Sequence, residues 1–215
     1  MHHLNPAVSC NRLIKALREK GITNERVLDA FRAVPRHLFV DGAMYAQAYD
    51  DNALPIGCKQ TISQPYIVAL MTQHLELEKD QKILEIGTGS GFQTAILARF
   101  SRRVYTIERH RELGESAHKR LREMGYENIV FKIGDGTRGW PQQAPFDRIM
   151  VTAGAPGVPQ TFISQLAPGG ILVIPCGDRA SQILEIYRYN GQQVHKTEIG
   201  GVVFVPLVGR HGWEN

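Results

Sequence analysis

The sequence predicts an α/β fold: a doubly wound, mostly parallel sheet with antiparallel strands at its C-terminal end and helices at its N-terminal end. Three observations predict it. Short apolar runs alternate with helical segments from Lys82 to Pro175. A glycine-rich turn follows the first of those runs. Asn190-Gly191 then separates two strand-like runs, a strong hairpin signal.

Leu13, Ile14 and Leu17 recur at helical spacing, and Gly21 stops that helix. Thr23 reads as the N-cap of a second helix carrying Val27, Leu28 and Phe31. Pro35 ends it, because the residue before a proline is pushed out of the helical region. Residues 41–65 form a long polar stretch with glycine and two prolines, and a structureless loop of that length in a compact domain marks function. A helix over 67–75 leads into the core. Ile83-Leu84-Glu85-Ile86 is a short buried strand, followed by a helix (92–100), strand (104–107), helix (112–124) and strand (129–133). A strand at 148–152, a helix at 159–166 and a strand at 170–175 complete the alternation, which implies right-handed crossovers. The tail reads as three strands, 183–189, 193–198 and 202–208, joined at Asn190-Gly191 and Gly200-Gly201.

With 43% hydrophobic and 21% charged residues among 215, the chain can bury a sizeable core as one domain. The net charge of +4 is scattered, and the run at Arg102-Arg103 and Arg109-His110-Arg111 reads as solvated surface, so nucleic acid is not favoured as a partner. Cys10, Cys58 and Cys176 are odd in number and lack metal-type spacing, which points to reduced thiols in a cytoplasm and to no metal. No apolar run approaches a membrane span, and no apolar core of a signal peptide precedes Lys20.

The strongest motif is Glu85-Ile86-Gly87-Thr88-Gly89-Ser90-Gly91, which ends a strand and opens a helix. Glycines there allow a sharp turn and close approach of a ligand to the backbone. A dinucleotide fingerprint would need glycine at position 92, which is Phe92, and a phosphate-cradling loop would need Gly-Lys-Ser/Thr where Gly91-Phe92-Gln93 stands. A carboxylate just before the first glycine suits a ligand with an ammonium group and no phosphates, such as the methionine part of S-adenosylmethionine. Glu108, at the tip of the next strand, is placed to accept from ribose hydroxyls, with Arg109 beside it. Asp135 in Gly134-Asp135-Gly136 is placed to accept from the exocyclic amine of adenine. Thr152 closes the fourth strand and faces the crevice, whereas Asp147 begins that strand and reads as structural.

With these pieces in order, the chain resembles the class I S-adenosylmethionine methyltransferases, with their Rossmann-like sheet. Leu54-Pro55-Ile56-Gly57, Gln60-Thr61-Ile62-Ser63-Gln64-Pro65, the glycine motif through Phe92-Gln93-Thr94-Ala95, and Phe204-Val205-Pro206-Leu207 are similar to the protein-L-isoaspartate O-methyltransferase family. Val34-Pro35-Arg36 and Phe39-Val40 are similar too. The likeness spans almost the whole chain, and the Thr-Ile-Ser segment is its specific part. It implies a methyl donor, S-adenosyl-L-methionine, which leaves as S-adenosyl-L-homocysteine. The acceptor it implies is the free carboxylate of L-isoaspartyl or D-aspartyl residues in damaged proteins. Ser63 would hold that carboxylate, and Ile62, Ser63, Glu85, Gly87, Thr88, Gly89, Gly91, Glu108, Arg109, Asp135, Gly136 and Thr152 would line the donor site. One departure stands out: Lys59 occupies a place where bacterial members usually carry glycine, which bears on loop flexibility or on peptide preference.

This reading divides a single methyltransferase domain into N-terminal helices with a substrate loop (1–78), a cofactor-binding core (79–180) and C-terminal strands (181–215). It expects a cytoplasmic monomer acting on isoaspartyl peptides and proteins, with no nucleic acid, membrane or metal. Two alternatives stay open: a methyltransferase for RNA or a small molecule, and a non-catalytic module that keeps the fold. The intact acidic residues count against the second. The segment Thr152-Ala153-Gly154-Ala155-Pro156, in place of an Asn-Pro-Pro-Tyr type signature, counts against methylation of base amino groups. The eight histidines read as surface or core groups, although His211 follows the last strand and stays open as a site residue.

Overall fold

The computed structural model describes residues 5–214. Helix α1 (Pro6–Glu19) starts where the Asn5 side chain accepts from the Val8 N–H, with Pro6 in the first turn, and it buries Cys10, Leu13, Ile14 and Leu17. Helix α2 (Glu25–Ala33) is capped by Asn24, not Thr23: the Asn24 side chain accepts from the N–H groups of Arg26 and Val27. The Thr23 N–H is instead taken by the Gln73 side chain of α3 (Pro65–His74), a tertiary contact invisible to local capping rules.

The polar stretch 41–65 is structured, contrary to the expectation of a plain loop. It contains a 3₁₀ turn (Gly42–Gln47) and an antiparallel hairpin of β1 (Leu54–Gly57) and β2 (Gln60–Ile62). Cys58 and Lys59 form its two-residue turn at φ +48° and +57°, the left-handed pair that twisted hairpins require. Lys59 bears the strain of a side chain in the left-handed region, which a glycine would not.

The main sheet has seven strands in the order β5-β4-β3-β6-β7-β8-β9. They are β3 (Gln81–Ile86), β4 (Ser101–Glu108), β5 (Ile129–Ile133), β6 (Phe146–Val151), β7 (Leu166–Gly177), β8 (Gln182–Tyr189) and β9 (Val194–Val202). Pairs among β3 to β7 are parallel, and β7-β8 and β8-β9 are antiparallel. Helices α4 (Phe92–Ala98), α5 (Arg111–Glu123) and the short α6 (Gln160–Ile163) make the connections after β3, β4 and β6. The helix expected at 159–166 is this single turn, because β7 already begins at Leu166.

The tail holds two strands in the sheet, not three. Gly200 and Gly201 lie within β9, where Leu184 faces Gly200 but Glu185 faces Glu198, a bulge at Ile199. Neither glycine has the left-handed φ of a tight hairpin turn. Beyond Val202 the chain leaves the sheet; Pro206 bridges to Gly154, just past the end of β6, and Val208 bridges to Trp213 within the tail itself.

Both faces of the sheet are covered. One core joins α1 to α4 with Ile83, Val104, Met150 and Val173; the other joins Phe162 with Ile86, Phe146, Ile149 and Leu172. Strand order reverses at β3, which has β4 on one side and β6 on the other, so the carboxyl ends of these three strands open a crevice. Among the described residues no helix is long and apolar enough to cross a membrane, and no cluster of three metal-ligating side chains occurs.

Candidate functional site

The crevice is built on the turn after β3. Gly87, Gly89 and Gly91 adopt φ of +96°, +53° and +88°, and Gly91 caps α4. At Gly87 a Cβ would lie 2.3 Å from Thr152 Oγ1, so β6 closes directly on the turn. Thr152 Oγ1 lies 2.7 Å from the Gly87 carbonyl and 2.9 Å from that of Ile86, both acceptors for its hydroxyl.

Glu108 holds the turn from the other side. Its Oε2 accepts from the Gly89 N–H at 2.8 Å and its Oε1 from the His110 N–H at 2.8 Å, and the carboxylate borders the crevice. Ile62, Ser63, Gly87, Thr88, Gly89, Arg109, Gly136 and Thr152 share that border, so the hairpin segment and all three strand tips meet around one hollow. Gly91 does not reach it; a Cβ there would meet Leu121 at 3.0 Å, so this glycine serves the packing of α5.

Two carboxylates stand elsewhere than expected. Glu85 is fully buried behind the turn, not on the crevice wall. Its Oε2 accepts from the hydroxyls of Thr94 (2.6 Å) and Thr106 (2.7 Å), while its Oε1 has no partner. Burial pushes its pKa up to about 8, against the pull of the two hydroxyls, with Glu108 adding a smaller upward push. A strand alternates its faces, and position 85 points into the packing of α4 instead of out of the strand's end.

Asp135 also turns away. Its Oδ1 accepts from the N–H and hydroxyl of Thr137, and its Oδ2 from the Arg210 N–H at 3.0 Å. Burial opposes its ionisation, but the Thr137 hydroxyl, the Arg210 and Thr137 N–H groups and the Arg138 charge outweigh it and hold its pKa below the usual range. The carboxylate borders a neighbouring cavity with Lys132, Arg138, Arg210 and His211, leaving Gly136 alone of its motif at the crevice. The tail it anchors contributes 205–208 to the crevice wall. His211 donates its backbone N–H to Thr137 Oγ1, and its side chain belongs to that neighbouring cavity.

A family model for protein-L-isoaspartate(D-aspartate) O-methyltransferases matches residues 8–212, which includes every part of the crevice. The chain belongs to this family. A protein-L-isoaspartate O-methyltransferase of Trichlorobacter lovleyi is 58% identical over 196 residues, covering 91% of this chain and 90% of that one. Another, of Syntrophobacter fumaroxidans, is 56% identical over 198 residues, covering 92% of each. Among solved structures, a protein-L-isoaspartate O-methyltransferase superposes with a TM-score of 0.85 at 28% identity, over 94% of this chain and 67% of that one. A Plasmodium falciparum structure described as a putative protein-L-isoaspartate O-methyltransferase, in complex with S-adenosyl-L-homocysteine, superposes with a TM-score of 0.80 at 23% identity, over 92% of this chain and 97% of that one.

Several residues in or behind the walls of the crevice escaped site assignment from sequence. Arg36 is 1% exposed and donates to the carbonyls of Ala48 (2.9 Å) and Ser63 (2.8 Å). Arg120 donates to the Ser90 carbonyl at 2.8 Å. Ile56 of β1 lies over the turn, 3.4 Å from where a Gly89 Cβ would be, and Gln60 and Thr61 border the crevice. An arginine directly after Val-Pro and before an apolar pair was the one available signal for Arg36, and only the fold shows which carbonyls it reaches. At the hairpin tip, the half-exposed Cys58 has its Sγ 3.8 Å from Glu112 Oε2; desolvation and that carboxylate raise the thiol's pKa, which disfavours a reactive thiolate.

Proposed function

We propose that the crevice holds S-adenosylmethionine and that the chain transfers its methyl group to the free carboxylate of L-isoaspartyl and D-aspartyl residues in damaged proteins, which begins their repair through a succinimide. One observation carries this reading: the Ser63 segment and the Glu108 strand tip border the same hollow, so an acceptor carboxylate and a nucleoside donor would meet there.

The lining fits a phosphate-free cationic nucleoside. Among the described residues Glu108 borders the crevice, Arg109 is the lysine or arginine that does so, and the glycine turn brings backbone to its wall at Gly87 and Gly89. Glu108 would take the ribose hydroxyls and Gly136 would lie against the base, with Ile62, Thr88, Gly89, Arg109 and Thr152 completing the wall. When bound, the donor supplies an electrophilic methyl group on a sulfonium.

The chain's own work is positioning. A carboxylate acceptor is ionised at neutral pH and needs no general base. Ser63 donates its hydroxyl to that carboxylate as an orienting group and is no nucleophile. Ile56 of the hairpin packs against the turn at Gly89 and helps fix its shape. Such approximation contributes roughly 7–11 kcal/mol in well-oriented cases. A second hollow, bordered by Asn52, Gln64, Ile67, Val203 and Phe204, shares Ser63 and Thr152 with the crevice and gives an extended peptide its approach. We read the working protein as a cytoplasmic monomer without nucleic-acid or membrane partners, from its scattered charge and widely spaced free thiols.

The test is methyl transfer to an isoaspartyl peptide beside its normal aspartyl twin. Label on the isoaspartyl peptide alone supports the reading; equal label on both, or on neither, overturns it.

A further inference from the structure

We infer that Arg36 is a positioning residue for the methyl transfer, acting through the backbone of Ser63; the inference rests on the role given to Ser63 above. Arg36 opens the 3₁₀ turn Arg36–Phe39 and is 1% exposed. Its Nε donates to the Ala48 carbonyl at 2.9 Å, and its Nη2 to the Ser63 carbonyl at 2.8 Å and, at 3.5 Å, to that of Asn52. These acceptors flank the β1–β2 hairpin on both sides. A planar guanidinium with five donors can span them at once, whereas an ammonium is a point charge.

A buried cation whose hydrogen-bond partners are neutral carbonyls is costly even with the Asp51 charge nearby, and its Nη1 has no partner among the described residues. What the arrangement achieves is a link between the two walls of the crevice. The guanidinium lies 4.8 Å from the ring centre of Phe92, the first residue of α4 after the glycine turn. Phe92 meets Phe39 edge-on at 5.5 Å, Arg120 stacks 5.8 Å from Phe39, and Arg120 donates to the Ser90 carbonyl. An unbroken series of rigid groups therefore runs from the Ser63 carbonyl to the Ser90 carbonyl, from acceptor wall to donor wall. In-line transfer is sensitive to that spacing, since a misplacement of about 1 Å can cost on the order of 100-fold in rate.

The test is a double-mutant cycle with isoaspartyl peptide, using Arg36→Lys, Ser63→Ala and both together, with the rate per folded molecule fixed by near-ultraviolet circular dichroism. Arg36→Lys should lower kcat about 10- to 100-fold, while KM for the peptide and Kd for S-adenosylhomocysteine stay within about threefold, because the hydrogen bonds of Arg36 go to Ala48, Asn52 and Ser63 and not to Glu108 or the glycine turn. The double variant should be no slower than the slower single variant, as expected when one residue acts through the other. Losses that multiply, an unchanged kcat, or a loss that only tracks the folded fraction would overturn the inference. A wild-type rate for Ser63→Ala beside a slow Arg36→Lys would instead reject the Ser63 reading and any route through it. If Arg36→Lys does not fold, Arg36→Gln takes its place in the same cycle, with the same outcomes deciding.

Discussion

Glu108 and Gly89 are tied by a 2.8 Å hydrogen bond from the glycine N–H to the carboxylate, so the tip of β4 holds the turn after β3 in shape. The same carboxylate accepts from the His110 N–H, and Glu108 borders the crevice. Glu108→Gln removes the charge and one of the two acceptor oxygens. Hydrogen bonds to charged groups contribute about 1.5–3 kcal/mol, so Kd for S-adenosylmethionine should rise at least tenfold by calorimetry. Unchanged affinity would remove Glu108 from the donor site.

Ser63→Ala tests the acceptor side alone. Loss of one hydrogen bond to a carboxylate should slow transfer by roughly 10- to 100-fold, with donor affinity nearly unchanged. A variant as fast as wild type would show that the hydroxyl does not orient the carboxylate.

Glu85 makes the ligand-free protein pH-sensitive. Its folded-state pKa of about 8 lies above the ordinary 4.5. Its contribution to stability is therefore full below about pH 4.5 and is lost as pH rises towards 8. Glu85→Gln removes that decline. Thermal unfolding should find the variant more stable than wild type at pH 8, by an amount on the order of a few kcal/mol at most, with the gap closing towards pH 5. Parallel curves across that range would contradict the assignment.

Asp135 should act through the tail. Asp135→Ala frees the Arg210 N–H and the two Thr137 donors. The loss of these bonds to a carboxylate, about 1.5–3 kcal/mol each at most, should lower Tm by several degrees. Donor affinity should fall as well, because 205–208 line the crevice. Since the Asp135 pKa is depressed, its stabilisation is present above the unfolded value and disappears as pH falls through the folded one, so the variant should differ least from wild type in acid. A variant with wild-type Tm and weakened donor binding would return Asp135 to direct contact with the base.

Lys59→Gly should relieve the hairpin turn. A side chain in the left-handed region costs roughly 1–2 kcal/mol, part of which the greater freedom of glycine in the unfolded chain offsets. A net gain near 1 kcal/mol corresponds to about 2–4 °C in Tm for a chain of this size. A lower Tm would mean that Lys59 makes a compensating contact.

The alternation of strands and helices, the glycine turn and the Glu108 strand tip were legible because each is a local pattern. Burial periodicity, strand ends and glycine φ are encoded within a few neighbouring residues. Thr23 and the 202–208 segment were misread for the opposite reason. Gln73 takes the Thr23 N–H from 50 residues away, and Gly200-Gly201 become a bulge only because β8 lies alongside.

What the sequence by itself determined is the order of the sheet's working parts and the chemical type of group at each strand tip. Tertiary structure alone decided which way those groups face. Glu85 looks inward because its strand packs on α4, and Asp135 is claimed by a tail segment 75 residues away. Arg36 meets Ser63 only when the intervening chain folds back over 27 residues. Hydrogen-bond partners of buried polar groups are chosen by proximity in space, and proximity between distant segments is the one property that a linear pattern does not carry.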